Sequence, residues 1–280
     1  MMKKKQILFI LIMFYVCSSI KAQYIRFMYE YRSVPDTLQK DSIIKEVMFL
    51  DVLPNKKSIF YNGKRFISDS TMKADAKKGV ITMPDKTIST YYIIKKNYAD
   101  SKTTMVIDDL STILKFLVDE NVKLDWKILT DKQLINGYDC QKATVAFGGR
   151  FWYAWFTNYF PFNDGPYKFQ GLPGLIVKIE DAQRYHIFQL KGVKKINQDS
   201  LYEDNVQSNK NIKRLSKDKF IAFYRTYRKD PAREFRQKAM NGMIYYESDE
   251  KRREHIIMVE KLREEKILHD NNIIEINWIK

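Results

Sequence analysis

Cys140, His186 and the acids Asp164, Glu180 and Asp181 are the residues of this chain whose types could do covalent chemistry. A cysteine beside a histidine and a carboxylate is the arrangement of a thiol hydrolase, and paired carboxylates can divide general acid and base work. Spacing fixes neither pattern here. His186, His255 and His269 are the three histidines, none of them in an HExxH pair, and Cys140 has no second cysteine at metal-ligand spacing. No metal and no cofactor is expected. A lone strand cysteine among apolar neighbours is usually buried and inert, and Asp164-Gly165 reads more simply as a turn. The expectation is a non-catalytic protein, with a hydrolase using Cys140 or acids near Asp164 as the alternative.

Recognition chemistry is better represented. Phe147 to Phe169 holds 11 aromatics in 23 residues, too many for one side of a strand to carry. In a strand through 151–156, Phe151, Tyr153 and Trp155 point one way while Trp152 and Phe156 point the other. Either the strand is packed on both faces, or one face lines a concave wall for an apolar or sugar ligand. Tyr153, Trp155, Tyr167 and Phe169 are the candidate ligand-binding residues. Beside them, Gly171-Leu172-Pro173-Gly174-Leu175-Ile176 suggests a rigid type II turn entering a strand, with Pro173 presetting φ and Gly174 accepting a positive one. No Lys-Ser/Thr follows these glycines and no strand–GxGxxG–helix order exists, so a phosphate loop and a dinucleotide fingerprint are excluded.

The elements that must hold these residues are mostly strands. Runs at Tyr24–Tyr31, Ile43–Leu50, Ser58–Tyr61, Ser89–Lys96, Thr103–Ile107, Lys123–Leu129, Cys140–Phe147, Arg150–Thr157, Leu175–Ile179 and Tyr185–Lys191 are rich in β-branched and aromatic residues. Asn62-Gly63, Asn136-Gly137 and Gly148-Gly149 read as hairpin turns, and 68–86 as a polar, mobile insertion. After about 208, Phe220, Phe223, Tyr224 and Tyr227 mark one helix face, capped by Ser216 and stopped by Pro231. A second helix is expected over about 249–268. The reading is an α+β, mainly β fold: a large curved antiparallel sheet of about 8–10 strands with C-terminal helices. Its domain would span 23–204, followed by a basic helical extension over 205–280.

Length and composition agree with one well-buried globular unit: 280 residues, 45% hydrophobic and 30% charged. Met1-Met2-Lys3-Lys4-Lys5, the apolar run from Ile7 to Ile20, and Ala22 have the order of a secretory signal peptide cleaved after Ala22. A lipidated Cys17 is the rival, but Phe14-Tyr15-Val16 are poor company for a lipobox. Cleavage removes four lysines, taking the formal charge from +15 to +11, and leaves Cys140 without a disulfide partner. Residues 205–238 carry 11 Lys or Arg against three acids. In a secreted protein such a patch suits anionic envelope components rather than nucleic acid, or is a solvated face with no partner.

The hexapeptide 171–176 is also the signature of the GLPGLI family of secreted proteins in Gram-negative bacteria, which this chain resembles. Gly137-Tyr138, Cys140-Gln141-Lys142-Ala143, Gly149-Arg150, Ala154-Trp155-Phe156-Thr157 and Asp164-Gly165-Pro166-Tyr167-Lys168-Phe169 are similar to that family's pattern, with Tyr167 where members often carry Trp. The resemblance implies a signal sequence, a periplasmic or outer-membrane-associated location and a role beside an outer-membrane receptor or transporter. It implies no catalytic residues. A half-barrel like that of lipoprotein carriers is the expected shape.

Overall fold

The computed structural model describes residues 24–108, 115–202 and 212–280. The leader read over 1–22, with Cys17, lies outside them, as does part of the basic stretch after 205. Two meanders dominate the described residues. The first runs through β1 (Tyr24–Ser33), β2 (Ile44–Leu53), β3 (Lys57–Asn62), β4 (Ile93–Asn97), β5 (Lys102–Ile107) and β6 (Lys115–Glu120). The second runs through β7 (Lys127–Ile135), β8 (Tyr138–Phe147), β9 (Arg150–Thr157), β10 (Leu175–Asp181) and β11 (His186–Ile196). Antiparallel pairing of β1 with β11, from Tyr24↔Ile196 to Ser33↔His186, joins them into one open sheet of twelve strands. The twelfth, β12 (Ile212–Ser216), lies parallel to β6 at one edge. The sheet is therefore larger than the 8–10 strands expected, and mixed. The segments at 115–120 and 212–216 are short and flanked by charge, and their pairing partner is distant in sequence, so no local turn announces it.

Among the described residues four α-helices accompany the sheet: α1 (Gly63–Ala76), α2 (Lys217–Lys229), α3 (Arg233–Met240) and α4 (Asp249–His269). Alternation along β1 assigns the two faces. Phe27, Tyr29 and Tyr31 enter the main core, which also takes in Phe60, Met105, Phe116, Trp152 and Phe188. Covering that face are the 158–174 segment, α2 through Phe220 and Tyr224, and the C-terminal segment through Ile274 and Trp278. A smaller cluster of Tyr61, Ile93, Val106, Leu117 and Tyr202 occupies the opposite face, with Phe66 of α1 packed on it. There Arg26 pairs with Asp51 at 2.7 Å and shares that carboxylate with the Tyr61 hydroxyl. No helix among the described residues is long and apolar enough to cross a membrane.

Turn chemistry holds in two places and fails in two. At Asn136-Gly137 and Gly148-Gly149 both residues of each pair have positive φ (51° and 81°, 64° and 82°), as two-residue hairpins with a right-handed twist require. Asn62-Gly63 makes no hairpin. The Asn62 side chain caps α1, accepting from the backbone N–H of Lys64 and Arg65, so the stretch read as a mobile insertion begins as a helix. Gly63 is small because a Cβ there would lie 2.9 Å from the Phe49 ring. Nor is 172–175 a type II turn. The Leu172 carbonyl accepts from Gly174 N–H across Pro173 at 2.8 Å, and Gly174 has φ 142°. Glycine is required there because a Cβ would fall 2.2 Å from the Thr157 carbonyl oxygen on the neighbouring strand.

Candidate functional site

β9 settles which way its aromatics face. Trp152, Ala154 and Phe156 are buried in the core, while Tyr153 and Trp155 are half-buried and Phe151 is 45% exposed. The strand is thus not packed on both faces. The Lys142 ammonium lies 5.2 Å from the Tyr153 ring and 5.6 Å from the Trp155 ring, making a small cation–π surface on the outward side. Tyr167 and Phe169 are on the other side of the sheet, wholly in the core. The four candidate ligand-binding residues are thereby divided into two pairs on opposite faces.

A cavity of about 540 Å³ lies on the core side, and Tyr167 lines it. Its floor comes from Tyr31, Met105 and Ile107 of the sheet, and one wall from the 86–92 segment leading into β4. The roof is Phe220 and Tyr224 of α2 with Asn272, Ile274 and Trp278 of the C-terminal segment. The lining is mainly apolar and the size is that of an ordinary small-molecule site. Lys86, Lys266 and His269 stand exposed at its mouth.

The C-terminal segment is held in place by paired charges, most of them buried. Arg150 donates to the carbonyls of Ile273 and Ile274 and to Asn272 Oδ1, and pairs with Asp181 at 3.1 Å. Asp181 in turn accepts the His186 backbone N–H at 2.8 Å. Lys168, fully buried, meets Glu275 at 2.5 Å and also Glu120, while Lys217 bridges the same two acids at 2.8 and 2.9 Å. Burial alone would raise the Glu275 carboxyl, but the two ammonium charges outweigh it and hold it below the usual range. Two cations against two anions leave the cluster neutral. Gly148 and Gly149 are bare for the same purpose: a Cβ on Gly148 would lie 2.9 Å from Glu275 Cα, and one on Gly149 3.0 Å from Ile276. Asn272 closes the ring by bonding Val34 and Pro35 at the end of β1.

Three polar atoms on the cavity wall are treated differently. Tyr92 Oη, His186 Nε2 and Trp278 Nε1 are buried and make no hydrogen bond among the described residues. His186 stacks near Tyr31, whose hydroxyl meets its Nδ1 at 2.8 Å. Burial and the Arg150 charge, opposed weakly by the Asn272 backbone, push the imidazole down to about 3, so the ring is neutral. Sequence reasoning missed Tyr92 and Trp278. The one available signal was Trp278 in a final stretch, Ile273 to Ile279, with a single charged residue.

Cys140 and the acids have structural duties. Cys140 is buried, its thiol approaches the Tyr138 carbonyl (3.4 Å), and burial, opposed by the Ile135 backbone, pushes it up to about 11, far from a thiolate at neutral pH. Asp164 meets the buried Lys96 at 2.5 Å and the Tyr98 hydroxyl, and accepts Gly165 N–H. Glu180 pairs with Lys178 at 2.9 Å. No group of three or more His, Cys, Asp or Glu able to hold a metal occurs among the described residues.

Against this geometry, one family profile matches, described as a protein of unknown function (Porph_ging), over residues 150–178. Of the charge clamp that holds the C-terminal segment, Arg150 and Lys168 fall inside this match, with Asp164 and the 171–176 turn, while Glu120, Asp181, Lys217 and Glu275 lie outside it. No curated protein matches the chain. Among solved structures, PNGF-II in the P21 and C2 space groups is similar at 16% and 17% identity, with TM-scores of 0.48 and 0.49 over 71% of this chain. The chain spans about a third of the length of PNGF-II (32%). An outer membrane lipoprotein-sorting protein domain from Vibrio parahaemolyticus is similar at 10% identity and a TM-score of 0.29, over 67% of this chain and 90% of that one.

Proposed function

We propose that this chain is a non-catalytic binding protein of the bacterial cell envelope, holding an apolar ligand in the cavity between the sheet and the C-terminal segment. The cavity carries the reading: about 540 Å³ of mainly apolar space on the core side of the sheet. The leader-like N-terminus and the GLPGLI resemblance support export and a periplasmic or outer-membrane-associated location. The buried thiol and the fully engaged Asp164 argue against the hydrolase alternative. Native mass spectrometry of protein purified gently from cells is the test. An apolar species bound one to one and removed by solvent extraction, with a drop in melting temperature, is expected. A protein that is empty and whose melting temperature no apolar compound moves would overturn the reading.

A second reading, docking to an outer-membrane receptor or transporter, rests on a separate observation. Around α3 and α4, Met240, Met243, Tyr245, Ile257 and Leu262 are exposed. Deleting residues 205–280 is a poor test, because it removes Trp278 and Glu275 from the core. Met243→Asp with Tyr245→Asp tests the surface without disturbing the cavity; unchanged recovery of a partner with this variant would sink the docking role.

A further inference from the structure

The cavity is apolar, yet it carries three polar atoms that folding has left without partners. Burying such a group unpaired is unfavourable, so each needs a reason. Trp278 Nε1–H can only donate, and the Tyr92 hydroxyl is a neutral donor, its ionisation suppressed by burial. His186 adds a neutral imidazole nitrogen on the wall below β1. The Tyr31 hydroxyl meets Nδ1, and the tautomer sets whether Nε2 donates or accepts, so the donors of this lining are Trp278 and Tyr92. Unpartnered donors on residues that line one cavity call for an acceptor on the occupant.

Charge decides what kind of acceptor. Glu275 also lines the cavity, and its two cations are already shared with Glu120. A ligand carboxylate entering beside it would set a second anion in a low-dielectric space with no buried cation left to meet it. The basic residues Lys86, Lys266 and His269 are exposed at the mouth rather than among the buried donors. Resting on the binding role above, we propose that the ligand is an apolar molecule bearing an uncharged carbonyl, an ester or amide, that accepts from Trp278 and Tyr92.

Calorimetric titration with octane, methyl octanoate and octanoate separates this from the broader reading. Methyl octanoate is expected to bind more tightly than either. Trp278→Phe and Tyr92→Phe, which keep the rings packed on Phe220 and Tyr167, should each weaken the ester by about threefold to tenfold and leave octane unchanged. Octane and the ester binding equally, with both variants indifferent, would overturn the carbonyl and leave the apolar site standing. Tighter binding of octanoate would overturn the uncharged head. Binding of none of the three would remove the cavity's role altogether.

Discussion

Two sets of polar groups are buried a few residues apart on the same face of the sheet, and they are built on opposite principles. Arg150, Asp181, Lys168, Glu275 and Lys217 are charged and matched partner for partner. Tyr92, His186 and Trp278 are neutral and left open. The first set spends its hydrogen bonds on the chain itself, joining β9, the 164–169 segment and the C-terminal segment; the second has hydrogen bonds to give. Burial of a polar atom therefore says little about function until its partners are counted.

The contrast breaks most sharply at Arg150. Arg150→Met leaves Asp181 buried without its cation and frees three acceptors of the C-terminal segment, and should destabilise by about 3–5 kcal/mol in urea unfolding. A loss below about 1 kcal/mol would mean that the clamp is ornamental. Phe169→Ala and Trp155→Ala come next. Removing fully buried Phe169 should cost about 3–5 kcal/mol, whereas the half-buried Trp155 should lose a small fraction of that. Equal losses would place the outward face of β9 in the fold's core economy after all.

His186 sharpens the comparison through pH. Its imidazole sits near 3 in the folded chain against an ordinary 6.5, so in acid the unfolded chain takes up the proton first. The neutral ring's contribution is complete above about pH 6.5 and is lost as pH falls toward 3. Urea midpoints at pH 7 and pH 4 should drop further for the native protein than for His186→Gln; parallel drops would remove His186 from the acid response. Gly174→Ala, where the added methyl meets the Thr157 backbone carbonyl, should destabilise by about 3 kcal/mol, well above the loss at Trp155. Binding of apolar probes by the refolded variant should be unchanged, since the turn does not line the cavity.

Local signals in the sequence were read correctly where local physics decides the outcome. Positive φ at Asn136-Gly137 and Gly148-Gly149, and the helix face of Phe220 and Tyr224, follow from residues within a turn or two. Asn62-Gly63 shows the limit: asparagine both starts hairpins and caps helices, and here its side chain caps α1. The cavity was illegible for a stronger reason. Its wall combines residues near 31, 92, 167, 186, 220 and 278, and no periodicity links positions so far apart. Tyr167 was found because aromatics crowd around it. Trp278 was not, because nothing in the chain near it says that Lys168 lies over its ring.

The path of the C-terminal segment also sets the order of assembly. Asn272 bonds Val34 and Pro35 across 238 residues of chain, so the roof closes over the sheet by one of the longest loops available to the molecule. Contacts of that separation form late. Refolding should show a sheet-forming phase followed by a slower docking phase of 270–278, with the slower one absent in Arg150→Met. A ligand arriving between the two would meet an uncovered face, and would be enclosed by the chain rather than have to enter it.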